Sequence, residues 1–157
     1  MPNRIVISKF GGPEVLKYEK YLLPEQIDPN NIRIEQTSIG LNYIDTYHRT
    51  GLYPLPDKLP QCLGLEGAGR VVEIGNNVNH IKIGDRVAYA SPPLGAYCEI
   101  RDFPADKIIK IPDFISNDEV ASILLQGMTV EYLFERLYKI KKNEIILFHA
   151  AAGGVGL

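Results

Sequence analysis

The residues whose types and spacing suggest chemistry lie at the end of the chain. Glu144–Phe148 is a continuous apolar run that leads directly into His149-Ala-Ala-Ala-Gly153-Gly154-Val155-Gly156-Leu157. A strand followed by clustered glycines is the entry to a nucleotide-binding βαβ unit. Glycine lets the backbone turn tightly and approach a pyrophosphate, and the next helix would offer its free N–H groups. A P-loop is excluded because no Gly-Lys-Ser/Thr follows Gly156, and the spacing does not reproduce G-x-G-x-x-G literally. Taken alone, the glycines also fit a flexible tail. His48, His80 and His149 do not cluster in sequence, and Cys62 and Cys98 lack metal-ligand spacing, so neither a metal site nor a histidine triad is expected.

The elements that must position such a turn divide into two styles. Most of the 14 glycines and 11 prolines fall between Gly11 and Pro112, and they cut this stretch into short strands. The strands read as Arg4–Ser8, Asn31–Ile39, Gly69–Ile74, Arg86–Ala90, Ala96–Ile100 and Lys107–Ile111. Ile32 and Ile34 alternate with Arg33 and Glu35, the period of a half-buried strand. One short helix is expected over Asn42–Arg49. It places Ile44, Tyr47 and His48 on one face, pairs Asp45 with Arg49, and has Gly51 as a left-handed cap. After Pro112 the pattern turns helical. Ser116 and Glu119 form a capping box, and apolar residues recur from Val120 to Leu137 with a break expected at Gly127. The run Ile145–Phe148 does not alternate, so we expect a strand buried on both faces of a parallel sheet.

Composition narrows the classes. The 157 residues, 45% hydrophobic and 23% charged, fit one domain or one domain with part of a second. No stretch of about 18 apolar residues suggests a membrane span. A net charge of −2 provides no field for a nucleic acid. Two cysteines are too few for a disulfide scaffold and suggest a reducing compartment. The N-terminus lacks the pattern of a signal peptide, and a cytoplasmic protein is expected.

Seven segments, in order, carry a family resemblance: Gly40-Leu-Asn-Tyr-Ile-Asp-Thr-Tyr47, Gly51-Leu-Tyr-Pro54, Gly64-Leu-Glu-Gly-Ala-Gly69, Gly84-Asp-Arg-Val87, Leu94-Gly-Ala-Tyr97, Gln126-Gly-Met-Thr129 and Ala151-Ala-Gly-Gly-Val-Gly156. The sequence resembles the zinc-independent quinone oxidoreductases of the medium-chain dehydrogenase/reductase superfamily, relatives of ζ-crystallin. The resemblance implies a mainly β, GroES-like, partly open barrel over residues 1–115. Residues 116–157 would then hold a connector helix and the first strand and glycine turn of a truncated Rossmann domain. It implies NADPH as cofactor, a quinone as the small-molecule partner, and a homodimer. Zinc relatives place Cys and His where this chain has Asn42 and Leu65, which are not usual zinc ligands.

By the same resemblance, Asn42, Tyr47 and Tyr53 stand at the mouth of the catalytic cleft. Either tyrosine would donate its phenol to a quinone oxygen or stack on the ring, and Asn42 would bind the nicotinamide ribose or a substrate oxygen. Gln126 and Thr129 would approach the nicotinamide, and Ala152, Gly153, Gly154, Val155 and Gly156 would line the pyrophosphate. Ordinary packing remains open for the tyrosines and Thr129, and Glu66 reads as holding its loop. The activity implied is hydride transfer from NADPH to a quinone. Two alternatives stand beside it: an inactive GroES-like interaction module, and a zinc-free alkenal or enone reductase.

Overall fold

The computed structural model describes all of residues 1–157. Eight strands form two antiparallel sheets. They are β1 (Asn3–Ile7), β2 (Lys17–Lys20), β3 (Asn31–Gly40), β4 (Gln61–Cys62), β5 (Glu66–Ile74), β6 (Arg86–Ala90), β7 (Ile100–Pro104) and β8 (Ile109–Lys110). The smaller sheet has the order β2-β1-β4 and the larger β7-β3-β5-β6-β8. The chain is therefore mainly β and open-edged, as expected. No helix is long and apolar enough to cross a membrane.

The β3–β5 pair is the centre. Its register shifts between Arg33 and Ile34 and again between Gln36 and Ser38, and such bulges bend and twist a sheet toward a barrel. Glycine is needed at position 69, where a Cβ would stand 2.1 Å from the Glu35 carbonyl oxygen. One face of the larger sheet packs Ile32, Ile34, Val71, Val87, Tyr89 and Phe103 into the main core. The other face offers small residues: Ala68 lies opposite Ala88, and both pack with Ile111, Val120 and Ala121. Two alanines let α2 (Asn117–Glu131) lie close on the sheet. Strand β6 is consequently buried on both sides, and α2 is held across the same sheet that carries α1 (Tyr43–Thr50) at the end of β3.

Several sequence expectations change. The strand expected at Ala96–Ile100 begins only at Ile100. Residues 97–99 instead cross between elements, with Ile5 N–H donating to the Tyr97 carbonyl at 2.8 Å and Gln36 N–H to that of Glu99 at 2.8 Å. Lys107–Ile111 shrinks to a two-residue strand because a 3-10 turn occupies Ala105–Lys107. Strands β2 and β4 escaped the pattern, one for being short and polar, the other for being two residues long. Gly127 does not break α2, which runs on to Glu131 before a π-helical turn over Tyr132–Leu137. The Ser116–Glu119 capping box is present, with Glu119 N–H donating to Ser116 Oγ at 3.1 Å and Ser116 N–H to Glu119 Oε2 at 2.7 Å. Glu144–Phe148 joins no sheet. No strand of the structure pairs with this segment, and Ile145 is 100% and Leu147 84% exposed.

Candidate active site

The candidate site forms where three segments converge. Leu41, Asn42, Tyr43 and Ile44, from the β3–α1 junction, face Leu125, Gln126 and Thr129 of α2, and Gly154 and Val155 close the space. The cleft has a volume of about 310 Å³.

Asn42 is the N-cap of α1 and shares a capping box with Asp45 at the third helical position. Its N–H donates to Asp45 Oδ2 at 2.9 Å. This overturns the expected Asp45–Arg49 pair: Asp45 is also held by the Tyr97 hydroxyl at 2.7 Å, and Arg49 Nε donates to the Gly11 carbonyl at 3.2 Å. The Asn42 amide donates through Nδ2 to Glu66 Oε2 at 2.6 Å and accepts from Gln126 Nε2 through Oδ1 at 3.1 Å. Glu66 Oε1 accepts the Leu125 N–H at 2.8 Å, tying α2 to β5. Gly40 makes room for this carboxylate, since a Cβ there would stand 2.4 Å from both Glu66 Oε2 and the Ala121 carbonyl oxygen.

Glu66 is 1% exposed. Burial pushes its carboxyl pKa up, and the donors from Asn42 and α2 oppose that rise by favouring the charged form. Burial and the nearby Asp45 carboxylate raise the Tyr97 phenol, which stays protonated and donating. Thr129 Oγ1 donates to the Leu125 carbonyl at 2.8 Å and keeps acceptor capacity toward the cleft. Gln126 Oε1 is buried without a hydrogen-bond partner.

The structure thus gathers Asn42, Gln126, Thr129, Gly154 and Val155 around one space. Tyr47 and Tyr53 stand outside it. Tyr47 meets Tyr43 edge-on with centroids 5.3 Å apart and Tyr53 at 5.1 Å, so Tyr43 joins this aromatic cluster to the cleft wall. Ala152, Gly153 and Gly156 lie in the terminal turns and do not line the cleft. Those turns are tight, with Gly153 N–H donating to Ala150 and Gly156 N–H to Gly153, each at 2.8 Å. Glu66 does more than support its loop, since it joins Asn42 to α2. Its signal was a carboxylate at the start of a strand followed by buried glycine and alanine. No group of three His, Cys, Asp or Glu side chains is placed to hold a metal ion.

The family model of the alcohol dehydrogenase GroES-like domain matches residues 28–113, more than half of the chain. The chain belongs to that family. This GroES-like chain is 49% identical over 157 residues to a quinone oxidoreductase of Pseudomonas aeruginosa, covering 100% of this chain and 48% of the relative. It is 41% identical over 155 residues to a 2-haloacrylate reductase of a Burkholderia species, covering 96% of this chain and 46% of the relative. Among solved structures, the Escherichia coli quinone oxidoreductase complexed with NADPH superposes with a TM-score of 0.93 at 49% identity, covering 98% of this chain and 47% of that one. The chain therefore spans about half the length of the relatives it matches.

Proposed function

We propose that this chain supplies the GroES-like half, the domain connector and the glycine turn of a zinc-free quinone oxidoreductase that uses NADPH. Residues 1–115 would form the substrate side and 116–157 the start of the cofactor side. The observation that carries this reading is the single cleft in which the Asn42 cap, the Gln126–Thr129 face of α2 and the Gly154–Val155 turn meet. The relative crystallised with NADPH supports the choice of cofactor. The residues fit a nicotinamide riboside: an unpartnered acceptor at Gln126 and the acceptor oxygen of Thr129 suit sugar hydroxyls. When bound, the nicotinamide supplies the hydride. The chain's own residues orient and exclude water. Asn42, locked by Glu66, and Thr129 hold the ribose side, while Tyr43, Tyr47 and Tyr53 present an aromatic surface and phenol donors for the acceptor oxygen.

The 41% identity to a 2-haloacrylate reductase favours a second reading, reduction of an activated alkene in the same cleft. Titration of the labelled chain with NADPH should shift the NMR cross-peaks of Gln126, Thr129 and Gly154 and spare those of β2. Shifts confined elsewhere, or none, would remove the cofactor reading. Turnover by the 157 residues alone should be slight, because they hold only a glycine turn of the cofactor fold. A preference for 2-chloroacrylate over 1,4-benzoquinone in whatever turnover is seen would favour the second reading.

A further inference from the structure

Glu66 is buried at 1% exposure and meets no cation, yet both its oxygens receive hydrogen bonds from groups that build the cleft. An ionised carboxylate only accepts, whereas a carboxamide accepts at one end and donates at the other. That difference has a consequence two residues away. With Glu66 accepting, Asn42 must turn its Nδ2 toward the carboxylate, at 2.6 Å. Asn42 Oδ1 then faces Gln126 and can only accept, which draws Gln126 Nε2 to it at 3.1 Å. The Gln126 oxygen is left over, buried and without a partner, beside the cleft. Gly154 packs against the same side chain, where a Cβ would lie 3.0 Å from Gln126 Cγ and 3.3 Å from Nε2, so the glycine turn helps hold this rotamer.

We propose that Glu66 is a positioning residue whose carboxylate sets the orientation of the Asn42 and Gln126 amides in relay, so that the cleft offers the Gln126 carbonyl oxygen as an acceptor for a ligand hydroxyl. The ligand half of this inference, in which the hydroxyl belongs to the ribose of a nicotinamide nucleotide, rests on the function proposed above. The relay itself does not. A residue that merely filled space or tied α2 to β5 would be replaced without consequence by its isosteric amide. A residue that directs donors and acceptors would not.

The test uses two variants of the full 157-residue chain, labelled for NMR. In the native protein the Asn42 amide protons should show contacts to the Glu66 side chain, and the Gln126 amide protons contacts to Asn42. In Glu66→Gln the new amide donates to Asn42, which reverses; its own NH₂ then faces Gln126, which reverses too and turns a donor to the cleft. Glu66→Gln combined with Asn42→Asp places the acceptor-only group at the middle of the relay. It should restore the native Gln126 pattern while moving the negative charge by one residue. Binding of nicotinamide mononucleotide should weaken roughly tenfold in Glu66→Gln, the loss expected when an acceptor is replaced by a donor, and recover in the double variant. Native amide contacts opposite to those described would overturn the relay without any variant having to fold. So would a Gln126 pattern unchanged in Glu66→Gln, or one not restored in the double variant. If the native chain fails to bind the mononucleotide while the amide reversals occur, the cofactor reading falls and the relay stands.

Discussion

The barrel and the last thirty-odd residues have similar appetites for burial and opposite fates. Every fully buried residue lies at or before Ala121. Within the barrel, Ile32, Ile34, Tyr89 and Phe103 are each 0% exposed. Beyond α2, Ile145, Leu147 and Leu157 are at least 84% exposed, although they are as apolar as anything in the core. The difference lies in the partners. An antiparallel strand finds its neighbour through a nearby turn, while a strand of a parallel sheet waits for neighbours that arrive through long crossovers. Helix α2 bridges the two regions, with its N-terminal half in the core and its C-terminal half on the cleft.

That contrast can be broken or sharpened by measurement, beginning where the largest change is expected. Phe103→Ala removes a ring stacked on Tyr89 at 4.2 Å and lying 4.8 Å from the Arg101 guanidinium. It should cost about 3–5 kcal/mol in denaturant unfolding, and a loss under about 1 kcal/mol would show that the barrel is not the cooperative unit. The next effect is one of pH. Burial lowers the His48 pKa from its ordinary 6.5, with the nearby Asp45 opposing the shift. The neutral imidazole is thus favoured by folding. Its stabilisation is fully present above pH 6.5 and is lost as pH falls through the lowered value, with a slope of at most about 1.4 kcal/mol per pH unit. His48→Gln should flatten this stretch of the stability profile, and an unchanged slope would place its origin elsewhere. At the bridge, Ser116→Ala deletes the cap of α2 and should cost about 1 kcal/mol, read as a lower thermal midpoint; no change would mean that packing alone holds the helix. The smallest stability change belongs to the tail. Ile145→Ser should shift unfolding by less than about 0.5 kcal/mol while reducing self-association in size-exclusion chromatography, because exposed apolar edges drive association. A loss comparable to that of Phe103→Ala would mean the tail is part of the folded core.

Legibility followed the same division. Strands β3 and β6 and helix α1 could be read because their signals are local: alternation at Ile32 and Ile34, the Gly84-Asp85 and Pro92-Pro93 turn signals on either side of Arg86–Ala90, and Gly51 in the left-handed conformation at φ 79°. Strand β5 was read short, since its first residues include Gly67 and Gly69, which carry no strand propensity and are there for close packing against β3 and β6. The pairing of Asp45 with Arg49 was a fair expectation from spacing, but Tyr97, 52 positions away, claims the carboxylate. At the site, the family resemblance points to Asn42, Gln126 and Thr129, and the structure brings them to one cleft, whereas the contacts of Glu66 have no local signal. Its partners at Asn42 and Leu125 are 24 and 59 residues distant.

The amino-acid order by itself determined the short strands between glycine and proline turns, the capped helices and the glycine-rich end, because each depends on interactions within a few positions of the chain. Tertiary structure decided which way the amides of the cleft point, that Tyr97 rather than Arg49 holds Asp45, and that the Glu66 carboxylate ties α2 to β5. Those outcomes depend on groups far apart in sequence meeting at hydrogen-bond distance. No periodicity or local propensity records that information.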